Sequence, residues 1–153
     1  MSEITIEQLQ GLMDAFMTKD LNTLLSYFTE DAVVIDPHYP FPEMRGKAAI
    51  SAGMTWAFGN MEQPGFRLLN AWLDGEKSVI KVDTHHVFRG GKEIRYLQVF
   101  VIETRNGLIS HLQSFVPYPP PGISGLLTKL TRWWWSLTGK AKVFRGEGGI
   151  DNG

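Results

Sequence analysis

One aspartate in the sequence has a position that suits general base chemistry. Asp36 follows the apolar run Ala32–Ile35 and precedes Pro37. An apolar cavity at the end of that run would destabilise the charged carboxylate and make it a stronger base. Alternatively, an aspartate before a proline closes a turn by bonding to neighbouring backbone groups. The residue types alone fit a catalytic and a structural role equally well.

The four histidines could act as bases or as hydrogen-bond donors near neutral pH. His86 or His111 could take either role, although a lone histidine in a strand is more often structural. His85 and His86 are adjacent and point to opposite faces of a strand, so they cannot chelate one metal ion together. His38, in a proline-rich loop, could reach the mouth of a cavity, but we expect it to lie in solvent.

Several other chemistries lack their motifs in this sequence. It has no cysteine, which removes thiolate nucleophiles, disulfides and sulfur-ligated metals. No phosphate-binding glycine loop, dinucleotide fingerprint or zinc motif occurs. Arg45-Gly46-Lys47 could hold an anion at a helix start, but we expect it to shape the loop instead. We therefore predict neither a metal nor a cofactor.

The net charge and the N-terminal residues limit the possible partners and the cellular location. The 15 basic and 16 acidic residues nearly balance and leave no overall field to hold nucleic acid. The N-terminus lacks the basic start and the apolar run of a signal peptide, and no segment is long enough to span a bilayer. We expect a cytoplasmic, soluble protein.

The hydrophobic spacing predicts three helices followed by a sheet, which is an α+β order. Thr5 and Gln8 form a capping box for the first helix, and Asp20 caps the second. A strand over 32–35, an irregular loop over 38–45 and a helix over 46–61 follow. From Phe66 the pattern alternates, with hairpin turns at 74–75, 90–91 and 106–107, which predicts four long strands.

Strand alternation predicts which side chains face a cavity. The inward sets are Ile80, Val82, Thr84, His86 and Phe88, then Tyr96, Gln98, Phe100 and Ile102, then Ile109, His111, Gln113 and Phe115. With Asp36, these sets bring more polar groups inward than a plain core needs. The groups must bond to a ligand, to water, or to one another in a self-satisfied cluster without a ligand.

The element order and one string of residues resemble the nuclear transport factor 2-like superfamily, in its SnoaL-like and ketosteroid isomerase-like branches. The string is Asp20-Leu21, Tyr27-Phe28-Thr29-Glu30-Asp31-Ala32, Asp36-Pro37 and Arg45-Gly46-Lys47-Ala48-Ala49-Ile50. The resemblance covers roughly Ile4 to Val116. It implies a cone-shaped half-barrel, in which three N-terminal helices pack in a curved mixed or antiparallel sheet around an apolar pocket. We expect this domain over 1–118 and a proline-rich connector, amphipathic helix and flexible end over 119–153.

The resemblance also implies a function. Asp36 matches the catalytic base of ketosteroid isomerase, while Leu12 and Gln98 stand where that enzyme has its oxyanion donors. We expect a cofactor-independent isomerase, lyase or cyclase for a polyketide-, steroid- or terpenoid-like substrate, with Asp36 as base and His111 or Gln98 as donor. The expected substrate-binding residues are Phe16, Trp56, His86, Phe88, Phe100, Gln113 and Phe115. The alternative is a noncatalytic pocket that binds or senses an apolar ligand.

The sequence predicts two surfaces that could contact partners. Outward parity places an apolar patch on the sheet, which predicts a homodimer through Leu97, Val99, Val101, Leu108 and Leu112. Residues 123–137 have a Leu- and Trp-rich stripe at helical spacing with basic residues nearby. Such a helix can lie on an anionic membrane, cover the mouth of the cone or pack on a dimer partner. Packing on protein is the commoner outcome, and we predict it here.

Overall fold

The chain divides into two compact units, Met1–Pro117 and Tyr118–Gly153. The computed structural model describes residues 3–117 of the first unit and 122–140 of the second. The connector predicted around 119–121 and the chain end beyond 140 lie outside the described residues.

The first unit begins with the predicted helices. They are α1 (Ile6–Met17), α2 (Leu21–Ser26) and α3 (Gly46–Asn60). The capping box is confirmed, because Thr5 Oγ1 accepts from the Gln8 N–H and Gln8 Oε1 accepts from the Thr5 N–H. Asp20 caps α2 by accepting from the Thr23 N–H. These caps satisfy amide groups that a helix start leaves without partners.

The strands form one curved, unclosed sheet of seven. They are β1 (Phe28–Ile35), β2 (Glu43–Arg45), β3 (Met61–Gln63), β4 (Phe66–Asp74), β5 (Lys77–Phe88), β6 (Glu93–Arg105) and β7 (Leu108–Phe115). The order is β2-β1-β7-β6-β5-β3, and β4 also pairs with β5. Among the strands of the described residues, only the β1–β7 pair is parallel. The α+β fold class and the three predicted hairpins are confirmed.

Three strands differ from the prediction: β1 begins at Phe28 instead of residue 32, and two short strands were not predicted. The segment 38–45 was expected to be irregular, but its last three residues form β2 and pair with the end of β1. Met61–Gln63 forms a further short strand against the end of β5. Both are too short to show alternation in the sequence.

The inward parity predicted for β5 and β6 is confirmed, but that of β7 was wrong after Ile109. The β6–β7 register shifts by one residue, with Thr104 opposite Ile109 and Glu103 opposite His111. A β-bulge at this point inserts one unpaired residue and reverses the alternation beyond it. Leu112 and Ser114 therefore face inward and are buried.

The apolar core lies between the helices and the concave face of the sheet. Leu9, Leu24 and Ile50 come from the three helices, and Phe28 and Ile102 come from the sheet; each is at most 2% exposed. Burial of this kind is the main favourable contribution to folding. The core is not completely filled, and the cavity that it leaves is the candidate site.

The second unit contains one described helix, α4 (Gly122–Thr138). No helix in the described ranges is long and apolar enough to cross a membrane.

Candidate functional site

A cavity of about 200 Å³ lies inside the first unit. Its walls are mostly apolar and aromatic and come from all three helices and from β1, β5, β6 and β7. The polar side chains that reach it are Asp36, His38, Tyr39, Asn60, His86, Tyr96 and Gln98. An apolar cavity with a few converging polar groups is the usual form of a small-molecule site.

Asp36 directly follows β1 and is only 8% exposed. Its backbone N–H donates to the Pro42 carbonyl at 2.8 Å, which closes the loop between β1 and β2. Its Oδ1 atom accepts from the His38 backbone N–H at 2.9 Å, the bond of an aspartate turn. Asp36 Oδ2 has no hydrogen-bond partner among the described residues, yet it is not sealed from solvent. One oxygen therefore closes the turn, and the other is open to a ligand.

A chain of three side chains runs through the cavity wall. The His38 Nδ1 atom lies 2.6 Å from Asp36 Oδ1. The His38 Nε2 atom lies 3.1 Å from the Tyr96 hydroxyl, and the two rings stack with centroids 5.4 Å apart. With a carboxylate at Nδ1, neutral His38 donates to Asp36 and accepts from Tyr96. The turn brings His38 back over Asp36 and out of the solvent position expected for it.

His86, on β5, presents a second polar group to the cavity. Its Nδ1 atom accepts from the Gly65 N–H at 3.0 Å, so a neutral ring carries its proton on Nε2. Among the described residues Nε2 has no acceptor, and it is not sealed from solvent. Burial is the main cause that lowers the pKa of His86 to about 4, and the neighbouring His38 ring acts in the same direction. His86 is therefore a neutral donor held in one tautomer.

Aromatic rings surround the His86 imidazole. The Phe66 ring packs edge-on against it with centroids 5.0 Å apart, and the Phe16 ring lies 6.0 Å away. Such surroundings disfavour the imidazolium ion, which agrees with the lowered pKa. They also leave the ring with little freedom to turn.

Gln98, on β6, differs from Asp36 and His86 because both ends of its amide group bond to other side chains. Its Oε1 accepts from the Thr84 hydroxyl at 2.9 Å, and its Nε2 donates to the Ser114 hydroxyl at 2.5 Å. All three residues are at least 95% buried. They form the self-satisfied cluster that the sequence left as one possibility. One amide hydrogen of Gln98 has no acceptor among the described residues.

Tyr39 closes another part of the wall. Its hydroxyl donates to the Met54 sulfur at 3.3 Å. Burial, together with the negative charge of Asp36, raises the pKa of Tyr39 well above its ordinary value. Tyr39 therefore remains a neutral phenol.

The structure brings seven of the ten predicted site residues to the cavity. They are Asp36, Gln98, Phe16, Trp56, His86, Phe88 and Phe100. The other three, His111, Gln113 and Phe115, do not line it. They lie opposite Glu103, Val101 and Val99 on the convex face of the sheet, because of the bulge before them.

His38 and Tyr96 were not predicted as site residues from the sequence. Tyr96 was placed on the inward face of β6 without a role, and His38 was expected in solvent. The spacing of His38, two residues after Asp36, was the available signal, because an aspartate turn bonds to that residue. Within residues 3–117 and 122–140, no three acidic or histidine side chains are grouped as metal ligands would be.

The helices enclosed by a curved, unclosed sheet define the nuclear transport factor 2-like fold, which includes ketosteroid isomerase. Residues 9–112 match the SnoaL-like domain family, and the chain belongs to that family. The suspected superfamily is thereby confirmed. No curated protein sequence matches the chain.

Solved structures with the same fold differ in their named activities. A Catenulispora acidiphila protein with a ketosteroid isomerase-like fold, crystallised with trimethylamine, has a TM-score of 0.67 and 19% identity, covering 75% of this chain and 88% of that one. A candidate polyketide cyclase from Xanthomonas campestris pv. campestris has a TM-score of 0.63 and 16% identity, covering 71% and 87%. An LEH-like epoxide hydrolase of M. tuberculosis has a TM-score of 0.64 and 14% identity, covering 73% and 77%. At these identities the likeness concerns the fold alone.

Proposed function

We propose that the protein is a cofactor-independent isomerase, lyase or cyclase that acts on an apolar carbonyl compound of polyketide, steroid or terpenoid type, with Asp36 as general base. The observation that carries this proposal is the open Oδ2 atom of Asp36 in an apolar cavity. A carboxylate held there by two bonds to its other oxygen keeps one basic lone pair for a substrate. The candidate cyclase and the epoxide hydrolase of similar fold support small-molecule chemistry in such a cavity.

The proposed step is proton abstraction next to a carbonyl group. The substrate C–H bond breaks and its proton passes to Asp36 Oδ2. The electron pair of that bond forms a C=C bond to the carbonyl carbon, and the π pair of the carbonyl moves onto its oxygen. A donor for that oxygen is needed, because the developing negative charge is costly in an apolar cavity. His86 Nε2–H fits this role, with the remaining amide hydrogen of Gln98 as a second donor. Return of the proton to another carbon would complete an isomerisation.

In this proposal His38 and Tyr96 position the base. The bond from His38 to Asp36 Oδ1 fixes the direction in which Oδ2 points, and Tyr96 fixes the His38 ring. A charge-assisted bond of this type is stronger than a neutral one. The aromatic residues Phe16, Trp56, Phe88 and Phe100 would contact the apolar body of the substrate.

The second candidate function is noncatalytic binding of an apolar ligand. It is favoured by Gln98, whose two bonds within the protein make it part of the scaffold. It is also favoured by Leu12, which lines the cavity where ketosteroid isomerase has its tyrosine donor.

Hydrogen–deuterium exchange of a bicyclic ketone such as decalone tests the proposal without knowledge of the natural substrate. We expect the wild-type protein in D₂O to accelerate exchange next to the carbonyl. Asp36→Asn keeps the shape and removes the base, so it should slow exchange by roughly two to four decades. The control is Asp74→Asn, the same change at an exposed turn residue. Ketone binding without any accelerated exchange would favour the noncatalytic function.

We also propose that the protein is a homodimer through the convex face of the sheet. Leu97, Leu108 and Phe115 are 46%, 38% and 49% exposed there, beside Val99 and Val101. Leu112, which the sequence assigned to this face, points inward, and Phe115 takes its place. A monomer seldom exposes so continuous an apolar surface.

A further inference from the structure

The helix α4 carries an apolar face whose described side chains are exposed. Six of its apolar side chains are between 53% and 64% exposed: Leu126, Leu127, Leu130, Trp133, Trp134 and Leu137. At about 100° per residue these positions fall within an arc of roughly 120° along one side of the helix. Seventeen residues give a helix about 25 Å long.

The charges of this segment have one sign. Lys129 lies about 40° beyond one edge of the apolar arc, Arg132 lies on the opposite, polar side of the helix, and Lys140 follows the helix end. The sequence has no Asp or Glu between Glu103 and Glu147. Because every charge near the arc is positive, the surface complements a negatively charged partner. A second copy of the same helix would bring like charges together.

The aromatic residues narrow the class of partner. Trp133 and Trp134 lie inside the arc, and tryptophan favours the boundary between lipid headgroups and acyl chains. An apolar arc with tryptophan, with lysine near its edge and arginine on the polar side of the helix, is the composition of helices that lie in the plane of a membrane surface. We infer that α4 binds the surface of a bilayer that contains anionic lipids. This inference is independent of the proposed enzyme function, and packing on protein is the competing outcome.

Sedimentation of the full chain with lipid vesicles tests this inference. We expect binding to vesicles of phosphatidylcholine mixed with phosphatidylglycerol, weaker binding at high salt, and little binding to phosphatidylcholine alone. Replacing Lys129 and Lys140 by Gln should weaken binding about fivefold for each charge removed. The charge-matched control replaces Arg89 and Lys92, two exposed residues of the β5–β6 turn, by Gln and should leave binding unchanged.

A pair of neighbouring substitutions tests the orientation of the helix. Trp134→Ala removes a ring from the arc, whereas Trp135→Ala removes the same ring from a position about 100° further round. We expect the first variant to lose binding and the second to retain it, with unchanged thermal unfolding of the first unit in both. Absence of wild-type binding to the anionic vesicles, or equal losses in the two variants, would overturn the inference. So would a lower oligomer mass of Trp134→Ala with unchanged lipid binding, because that result would assign the arc to a protein contact.

Discussion

Lowering the pH should destabilise the fold through His86, and the size of the effect follows from its surroundings. Its ordinary pKa of 6.5 falls to about 4 in the folded protein, mainly because burial penalises the imidazolium ion. The unfolded chain therefore takes up this proton near pH 6.5, and the folded chain does so only near pH 4. At about 1.4 kcal/mol per pH unit, up to about 3 kcal/mol of unfolding free energy is lost as the pH falls through this window.

Urea unfolding from about pH 7 to about pH 4.5 measures this loss. Other groups also titrate in the window, so the comparison between variants isolates His86. His86→Gln can still accept the Gly65 N–H bond, and it should lose most of the dependence. The matched control is His85→Gln. His85 is the next residue, faces the opposite side of the sheet and bonds to Glu93, so this variant should keep the wild-type dependence.

Nitrogen chemical shifts of the histidine rings provide the direct check. We expect the His86 ring to be neutral with its proton on Nε2 at about pH 6, because Nδ1 accepts the Gly65 N–H bond. A titration midpoint near 6.5, or a proton on Nδ1, would refute the argument. A proton on Nδ1 of the neutral ring would also remove His86 as the donor to a substrate oxygen.

Two further predictions concern the polar cluster and the convex face. Gln98→Leu leaves the buried Thr84 and Ser114 hydroxyls without partners and should lower the unfolding free energy in urea by about 2–6 kcal/mol, at about 1–3 kcal/mol per group. Adding Thr84→Val and Ser114→Ala should recover much of that loss, and a triple variant no more stable than Gln98→Leu would contradict the role of the cluster. Light scattering at micromolar concentration should give twice the chain mass of 17.2 kDa, and Leu97→Glu should give the monomer; a wild-type monomer would refute the dimer.

The sequence was sufficient for the elements whose signals are local. Capping residues and helical spacing predicted α1, α2 and α3, because a cap and an apolar stripe depend only on residues within a few turns. Turn residues such as Asn106-Gly107, both with positive φ, predicted the hairpins. Once the turns fixed the ends of β5 and β6, the alternation of side chains along each strand predicted that His86 and Gln98 point inward.

The sequence was not sufficient where pairing between strands decides the geometry. The bulge in β7 is a shift in its pairing with β6, and no residue pattern along β7 marks it. One inserted residue was enough to move His111, Gln113 and Phe115 from the expected concave face to the convex one. The position of His38 depends on the short pairing of β2 with β1, which folds the loop back over the cavity. Both errors arose from the register between paired strands, which the residue pattern along a single strand does not record.

The polar groups of the cavity also bear on the choice between enzyme and passive binder. A pocket that only held an apolar ligand would be most stable with its polar groups satisfied internally, as Gln98 is with Thr84 and Ser114. Asp36 and His86 are arranged differently. Each uses one polar atom to bond a backbone N–H, which fixes its direction, and leaves the other open to the cavity. An open carboxylate oxygen and an open N–H cost free energy in apolar surroundings unless water or a ligand bonds to them, and local departures of this kind are typical of functional sites. Because one group can accept a proton and the other can donate a hydrogen bond, the two together favour proton transfer on a carbonyl compound over simple retention of a hydrocarbon.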